Sequence, residues 1–169
     1  ICVIIYYKVP NFEQIKSNII NLIYKIPETP YVEGTNKISH TDYKHEDNKK
    51  EYVNFFIENI LPDYHNNLRK KLGVNTIHIS NLWFQVYRKG DFHGRHTHEK
   101  THFTNVFYIN LPDKKLTTRI NKPQQQVLDI EEGTIVTFPG YFEHESPVNN
   151  SNQEKIIISF NIDIHSYLD

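Results

Sequence analysis

The feature that most limits the fold is the stretch from Lys155 to His165. Ile156, Ile158, Phe160, Ile162 and Ile164 project one way, and Lys155, Ile157, Ser159, Asn161 and Asp163 the other. A period of two is the signature of a β-strand, and one apolar face means that this strand covers a core. It closes a series of similar segments. Ile77 to Arg88 reads as extended, with Asn81, Trp83, Gln85 and Tyr87 opposite Leu82, Phe84 and Val86, and ends in a Lys89-Gly90-Asp91 turn. Phe103 to Asn110 alternates again and stops at Leu111-Pro112-Asp113. Two weak strands fit within Leu116 to Asp129. Thr134 to Phe138 follows a Glu132-Gly133 turn, and after the Pro139-Gly140 break, Phe142 to Pro147 carries His144.

The first half reads differently. Cys2 to Tyr7 is β-branched and aromatic, a strand. Asn11, with Gln14 three residues on, has the spacing of a capping box, and Phe12, Ile15, Ile19, Leu22, Ile23 and Ile26 form a helical stripe that Pro27 ends. A second stripe runs from Val53 to Leu72, interrupted at Pro62 and stopped at Gly73. Between the helices, Glu28 to Asn48 shows no period and reads as a long loop, and the charge run Lys44 to Glu51 as a solvated face. Helices followed by short strands imply a mostly β chain with N-terminal helices (α+β), its core a β-sandwich or jelly roll. One domain is expected over residues 1–169, with 1–73 buttressing a jelly-roll core at 74–169.

Four of the chain's 10 histidines fall between His93 and His102, and His96-Thr97-His98 places two imidazoles on one face of an extended strand. His144 arrives late, on a strand that a jelly roll can bring alongside. Three protein ligands on one face leave coordination positions open for catalysis, whereas a closed structural site wants a fourth. Neutral imidazole suits Fe, Zn, Cu and Ni alike, so the triad alone does not select the metal. His40, His45, His65, His78, His93, His102 and His165 read as ordinary surface or core histidines, and Trp83 as core or pocket wall. The single cysteine, Cys2, excludes an intrachain disulfide framework and a Cys-based zinc site. A net charge of −1 gives no footing for nucleic acid or an acidic membrane surface, and no apolar run is long enough for a membrane span. With no signal-peptide pattern at the start, a cytoplasmic location is expected.

Trp83 to Gly90 (WFQVYRKG), the H-x-H, the strand from His102 to Asn110, Gly133 to Pro139 (GTIVTFP) with His144, and Glu154 to Asn161 (EKIIISFN) occur in an order that resembles the iron(II)- and 2-oxoglutarate-dependent dioxygenases. The likeness is greatest to an uncharacterised bacterial and phage subgroup with H-x-H in place of H-x-D/E. It covers about the C-terminal half. The resemblance implies a double-stranded β-helix (cupin-like) with Fe(II) held by His96, His98 and His144, His98 standing where a carboxylate is usual. It places Lys155 on the far carboxylate of 2-oxoglutarate, where Arg is commoner, and Tyr87, Tyr108 and Ser159 around that co-substrate. The implied activity is a hydroxylase using 2-oxoglutarate and O2, with succinate and CO2 as co-products, ascorbate as a stimulant, and a second substrate, a small molecule or peptidyl side chain, that the residues do not specify. Two alternatives stay open: a cupin-like three-His metalloenzyme that does not use 2-oxoglutarate, and a non-catalytic jelly-roll binding module. The segments Glu28 to Asn48 and Lys114 to Gln126 are candidates to cover the site.

Overall fold

A computed structural model describes residues 4–45 and 50–165. Cys2, the start of the first strand and part of the 44–51 charge run lie outside the described residues. The strands are β1 (Ile5–Lys8), β2 (Tyr31–Glu33), β3 (Asn36–Ile38), β4 (His40–Thr41), β5 (Thr76–Tyr87), β6 (Phe92–His96), β7 (Phe103–Asn110), β8 (Arg119–Lys122), β9 (Gln126–Val127), β10 (Thr134–Pro139), β11 (Glu143–Ser146) and β12 (Lys155–His165). Three helices, α1 (Phe12–Tyr24), α2 (Glu51–Asn59) and α3 (Leu61–Leu72), precede β5. The strands form two six-stranded sheets, in the orders β1-β10-β7-β12-β5-β4 and β2-β3-β6-β11-β8-β9, with antiparallel pairing throughout. This is the double-stranded β-helix, mostly β with N-terminal helices.

The alternation of β12 sorts two cores. Ile156, Ile158, Phe160 and Ile162 face a cluster shared with Phe12, Ile19, Ile23, Phe56, Tyr64 and Leu68 of the three helices. Ile157, on the opposite face, joins Tyr87, Val106, Tyr108, Val136, Phe138 and Phe142 between the sheets. The helices therefore cover the outer face of one sheet, and the site is left to the inner face. Burial of each large apolar side chain stabilises this arrangement by roughly 1.5–3 kcal/mol. A polar tie fixes α3 in place: the Tyr64 hydroxyl meets Asn105 Oδ1 and lies 2.8 Å from Thr137 Oγ1, while Asn105 Nδ2 donates to the Phe160 carbonyl at 3.0 Å.

Two expectations change. Asn11 precedes α1 in the left-handed region (φ 55°) and makes no side-chain cap; its carbonyl instead accepts from Gln14 N at 3.0 Å. With that backbone the Asn11 side chain does not lie over the first turn, so the capping box does not form. The 28–48 segment is not a featureless loop: β2 and β3 make a hairpin that pairs with β6 through Asn36↔His93 and Lys37↔Phe92, and β4 pairs with β5. These strands are three or two residues long, too short to display a period. Pro62 does split the second helical stripe, lying at the start of α3. Among the described residues no helix is long and apolar enough to cross a membrane.

Candidate metal centre

His96 is the last residue of β6, and His144 is its direct partner across the β6–β11 ladder. Cross-strand register therefore sets the two imidazoles side by side, with ring centroids 4.2 Å apart and planes tilted by 55°. His98 lies beyond the end of the strand rather than on it, as the H-x-H spacing had suggested. The chain turns because His98 N donates to the Gly140 carbonyl at 2.7 Å and Thr101 N returns to the His98 carbonyl at 3.1 Å. The turn still carries the third ring inward, 5.2 Å from His96 and 5.1 Å from His144. One ligand nitrogen from each of the three lies within 4.8 Å of the others.

The orientation of each ring is fixed from behind. His96 Nδ1 donates to the Gly94 carbonyl at 2.7 Å, His144 Nδ1 to the Phe142 carbonyl at 2.9 Å, and His98 Nδ1 to Asn161 Oδ1 at 2.8 Å. With all three Nδ1 atoms carrying the proton toward an acceptor, all three Nε2 lone pairs are free for a metal, the arrangement that metal-binding histidines require. Burial favours the same state: it lowers the His96 and His144 pKa values and brings His98 to about 4, helped by the neighbouring His96, so the rings are neutral near pH 7. Trp83 braces His98 with a ring stacked 5.9 Å away at 11°.

Two glycines make this crossing possible. A Cβ on Gly94 would collide with Thr35 Oγ1 of the β2–β3 turn, and one on Gly140 with the Thr101 and His98 carbonyls. Gly94 also links hairpin to ligand: its N–H faces the Thr35 carbonyl and Asn36 Oδ1 at 3.2 and 3.0 Å, and its carbonyl holds His96.

Sequence reasoning missed the place of His93. Its ring stacks on His96 with centroids 3.8 Å apart at 7°, and burial with its histidine neighbours lowers its pKa to about 3. It lies outside the three-ligand cluster but lines the cavities on both sides of it. The direct register of β6 on β3, Asn36↔His93, puts it there, and no spacing rule would have singled it out. His102 is an exposed residue beside Asp163, outside the site.

Lys155 begins β12 opposite Tyr87, with its side chain wholly inside the protein. Its Nζ donates to the Leu116 carbonyl at 2.5 Å and Ser146 Oγ at 2.7 Å, and sits 5.0 Å from the Tyr87 ring centroid and 6.0 Å from that of Tyr108. No carboxylate pairs with it among the described residues. Burial, aided by Arg119, takes its pKa from 10.5 to about 7. The two tyrosines offer Lys155 their rings; their hydroxyls are engaged elsewhere, Tyr87 with Gln85 Oε1 at 2.8 Å and Tyr108 with Thr118 Oγ1 at 2.5 Å. Ser159 and Ile157 line a small inner cavity of ≈ 20 Å³ together with the triad. That is room for about one water. On the other side of the triad a cavity of ≈ 490 Å³ opens between the β2–β3 hairpin, β5 and the 97–101 turn.

The donor set suits iron and 2-oxoglutarate: three neutral imidazoles on one side of a metal position leave others open, and a buried ammonium without a counter-charge is a receptor for a carboxylate. Residues 81–128 match the family model described as "Putative 2OG-Fe(II) oxygenase". An oxidoreductase of the 2OG-Fe(II) oxygenase family from Burkholderia pseudomallei superposes with a TM-score of 0.76 at 15% identity, over 96% of this chain and 86% of that one. A Pseudomonas putida prolyl-4-hydroxylase gives 0.65 at 13% identity, over 96% and 93%. The non-heme alpha ketoglutarate dependent epimerase SnoN from nogalamycin biosynthesis gives 0.67 at 10% identity, over 93% and 76%. No curated protein sequence matches. Fe(II), 2-oxoglutarate and O2 are the metal and co-substrates that this family implies. In the fold of nearly its whole length, and in the segment that carries its H-x-H, the chain is similar to the 2-oxoglutarate–Fe(II) oxygenases.

Proposed function

We propose that this chain is a 2-oxoglutarate-dependent hydroxylase of an organic second substrate, with residues 1–169 acting as one catalytic unit. The observation that carries the reading is the convergence of three imidazoles, each anchored through Nδ1, in a fold that also buries a lysine ammonium with no carboxylate partner among the described residues. His96, His98 and His144 are the metal ligands. When bound, Fe(II) with 2-oxoglutarate supplies activation of O2, one oxygen atom ending in the hydroxylated product and the other in succinate, with release of CO2.

The protein's own part is binding and orientation. Lys155 holds the far carboxylate of 2-oxoglutarate, and Tyr87 and Tyr108 confine it with their rings while Ser159 offers a hydroxyl on the same wall. Gly94, Phe142 and Asn161 keep the ligating nitrogens aimed at one point. The second substrate approaches from the larger cavity, where Trp83 and His93 border the triad.

The test is succinate formation by the purified chain with Fe(II), ascorbate and 2-oxoglutarate, alongside metal analysis of His96→Ala. Succinate that depends on His96, with iron lost from the variant, is the expected result. Full iron binding by His96→Ala would remove the triad assignment. A metal-loaded protein that neither binds nor turns over 2-oxoglutarate would instead favour a three-His metalloenzyme, for which the neutral triad is the motive.

A further inference from the structure

We infer that the ≈ 490 Å³ cavity beside the triad takes a second substrate bearing an alkylammonium group. The inference rests on the oxygenase reading and narrows its substrate. A cavity of this size suits a small organic molecule. One wall is aromatic and stepped. Trp83 stacks on His98, Tyr43 meets Trp83 edge-on with centroids 5.2 Å apart at 69°, and Tyr31 meets Tyr43 at 6.1 Å and 73°. Successive rings set nearly perpendicular present faces in more than one direction, the arrangement in which ring quadrupoles surround a cation. The chain already shows the attraction, for the Lys44 ammonium sits 4.9 Å from the Tyr31 centroid without lining the cavity.

The charge of the cavity agrees. Glu99 and Asp163 line it, and neither is paired with a lysine or arginine among the described residues. Asp163 is close to His102 Nδ1, but that nitrogen accepts from Ile164 N at 2.9 Å and so offers Asp163 no proton. Lys100 also lines the cavity, exposed and in no ion pair among the described residues, so carboxylates outnumber ammonium groups two to one. No arginine is present to recognise a phosphate or carboxylate in the bidentate way such groups favour. Divalent metal and dianionic co-substrate cancel beneath it. The aromatic wall begins at a metal ligand and runs outward, so a cationic head held at Tyr43 leaves its alkyl chain along Trp83, toward the triad.

Trp83 is the only tryptophan, so its fluorescence reports on this wall directly. Choline and its uncharged carbon isostere 3,3-dimethyl-1-butanol are titrated into the metal-free chain and into the chain holding redox-inert Zn(II) and 2-oxoglutarate. Choline should bind about tenfold more tightly than the isostere. Tyr43→Leu, at a position that is 56% exposed, and Asp163→Asn should each reduce that preference several-fold. Equal affinities, a preference for the neutral probe, or tighter binding of acetate would overturn the inference. So would the absence of any response to choline. Because none of these readings needs turnover, a failed succinate assay with intact choline selectivity sinks the oxygenase reading, and the converse sinks only the substrate class.

Discussion

Removing the buried ammonium should make the chain more stable, and the gain should fade as pH rises. Lys155 is enclosed and lacks a carboxylate partner, and its pKa falls from 10.5 to about 7 because burial disfavours the charged form. Such a change corresponds to on the order of 5 kcal/mol against the protonated folded state. The sign follows from proton counting: between pH 7 and 10.5 the unfolded chain holds a proton that the folded chain lacks. Stability therefore rises with pH across that window, by about 2 kcal/mol between pH 7 and 9. Lys155→Met abolishes this dependence while keeping an unbranched side chain of similar length. It also leaves the Leu116 carbonyl and Ser146 Oγ without their donor, at a cost of about 1 kcal/mol each. The net expectation at pH 7, without 2-oxoglutarate, is stabilisation of about 2–3 kcal/mol, falling to near zero at pH 9. Urea unfolding of both proteins at the two pH values measures it. Added 2-oxoglutarate with metal should stabilise only the wild type. A variant that is less stable at pH 7, with a wild-type slope against pH, would mean that the ammonium is compensated, and the case for Lys155 as a carboxylate receptor would fall with it.

Four further outcomes are expected. His98→Asp should retain iron but bind 2-oxoglutarate more weakly, read from the metal-to-ligand charge-transfer band under anaerobic titration; equal or tighter binding would separate site charge from co-substrate affinity. Asn161→Leu strips the acceptor from His98 Nδ1 and should weaken metal binding by roughly 10–100-fold, whereas Asn161→Asp should restore it, and unchanged affinity in the Leu variant would show that His98 does not ligate. Gly94→Ala drives Cβ into Thr35 and should lower both metal affinity and the melting temperature, by roughly 1–3 kcal/mol in stability; a silent substitution would uncouple the hairpin from His96. Combining His98→Asp with Lys155→Arg should bind 2-oxoglutarate better than the two single effects predict when added, and strict additivity in that cycle would show that the positions act independently.

The strands were readable where the chain is long enough to repeat. Lys155–His165 and Phe103–Asn110 are β12 and β7 to the residue, because many turns of alternation report a sheet buried on defined faces. The short strands of the 28–48 segment were not, since two or three residues cannot alternate, and beyond the local β2–β3 hairpin their partners lie more than forty residues away, at Phe92, His93, Gln85 and Val86. Of the site, the three metal-binding candidates and Lys155 followed from motif order; the structure brings the three histidine rings together and buries Lys155 against Ser146 of β11. What could not be read is what holds them. Asn161 reaches His98 only because β12 runs back past the 98–101 turn, and Gly94 and Gly140 matter through contacts that exist only after the sheets close. The wrong placement of His98 on the strand has the same origin: the ladder ends where Gly140 captures its backbone N–H.

The two departures from the usual motif, His98 in place of a carboxylate and Lys155 in place of arginine, are electrically related. With a carboxylate ligand, divalent iron, dianionic 2-oxoglutarate and a guanidinium add to zero. With three neutral imidazoles the same sum is +1 if residue 155 is charged, and zero if it is not. Arginine stays protonated at any working pH, but lysine does not when buried, and here its pKa is about 7. The enclosed space, with Tyr87, Tyr108 and Ile157 around it, screens charge weakly, so a residual +1 there is costly. Before 2-oxoglutarate binds, a lysine that can shed its proton avoids an unpaired buried cation in a way arginine cannot, and a carboxylate brought against it would favour the charged form again. In the proposed site the neutral triad and the titratable anchor therefore act together, the lysine becoming charged as the dianion arrives.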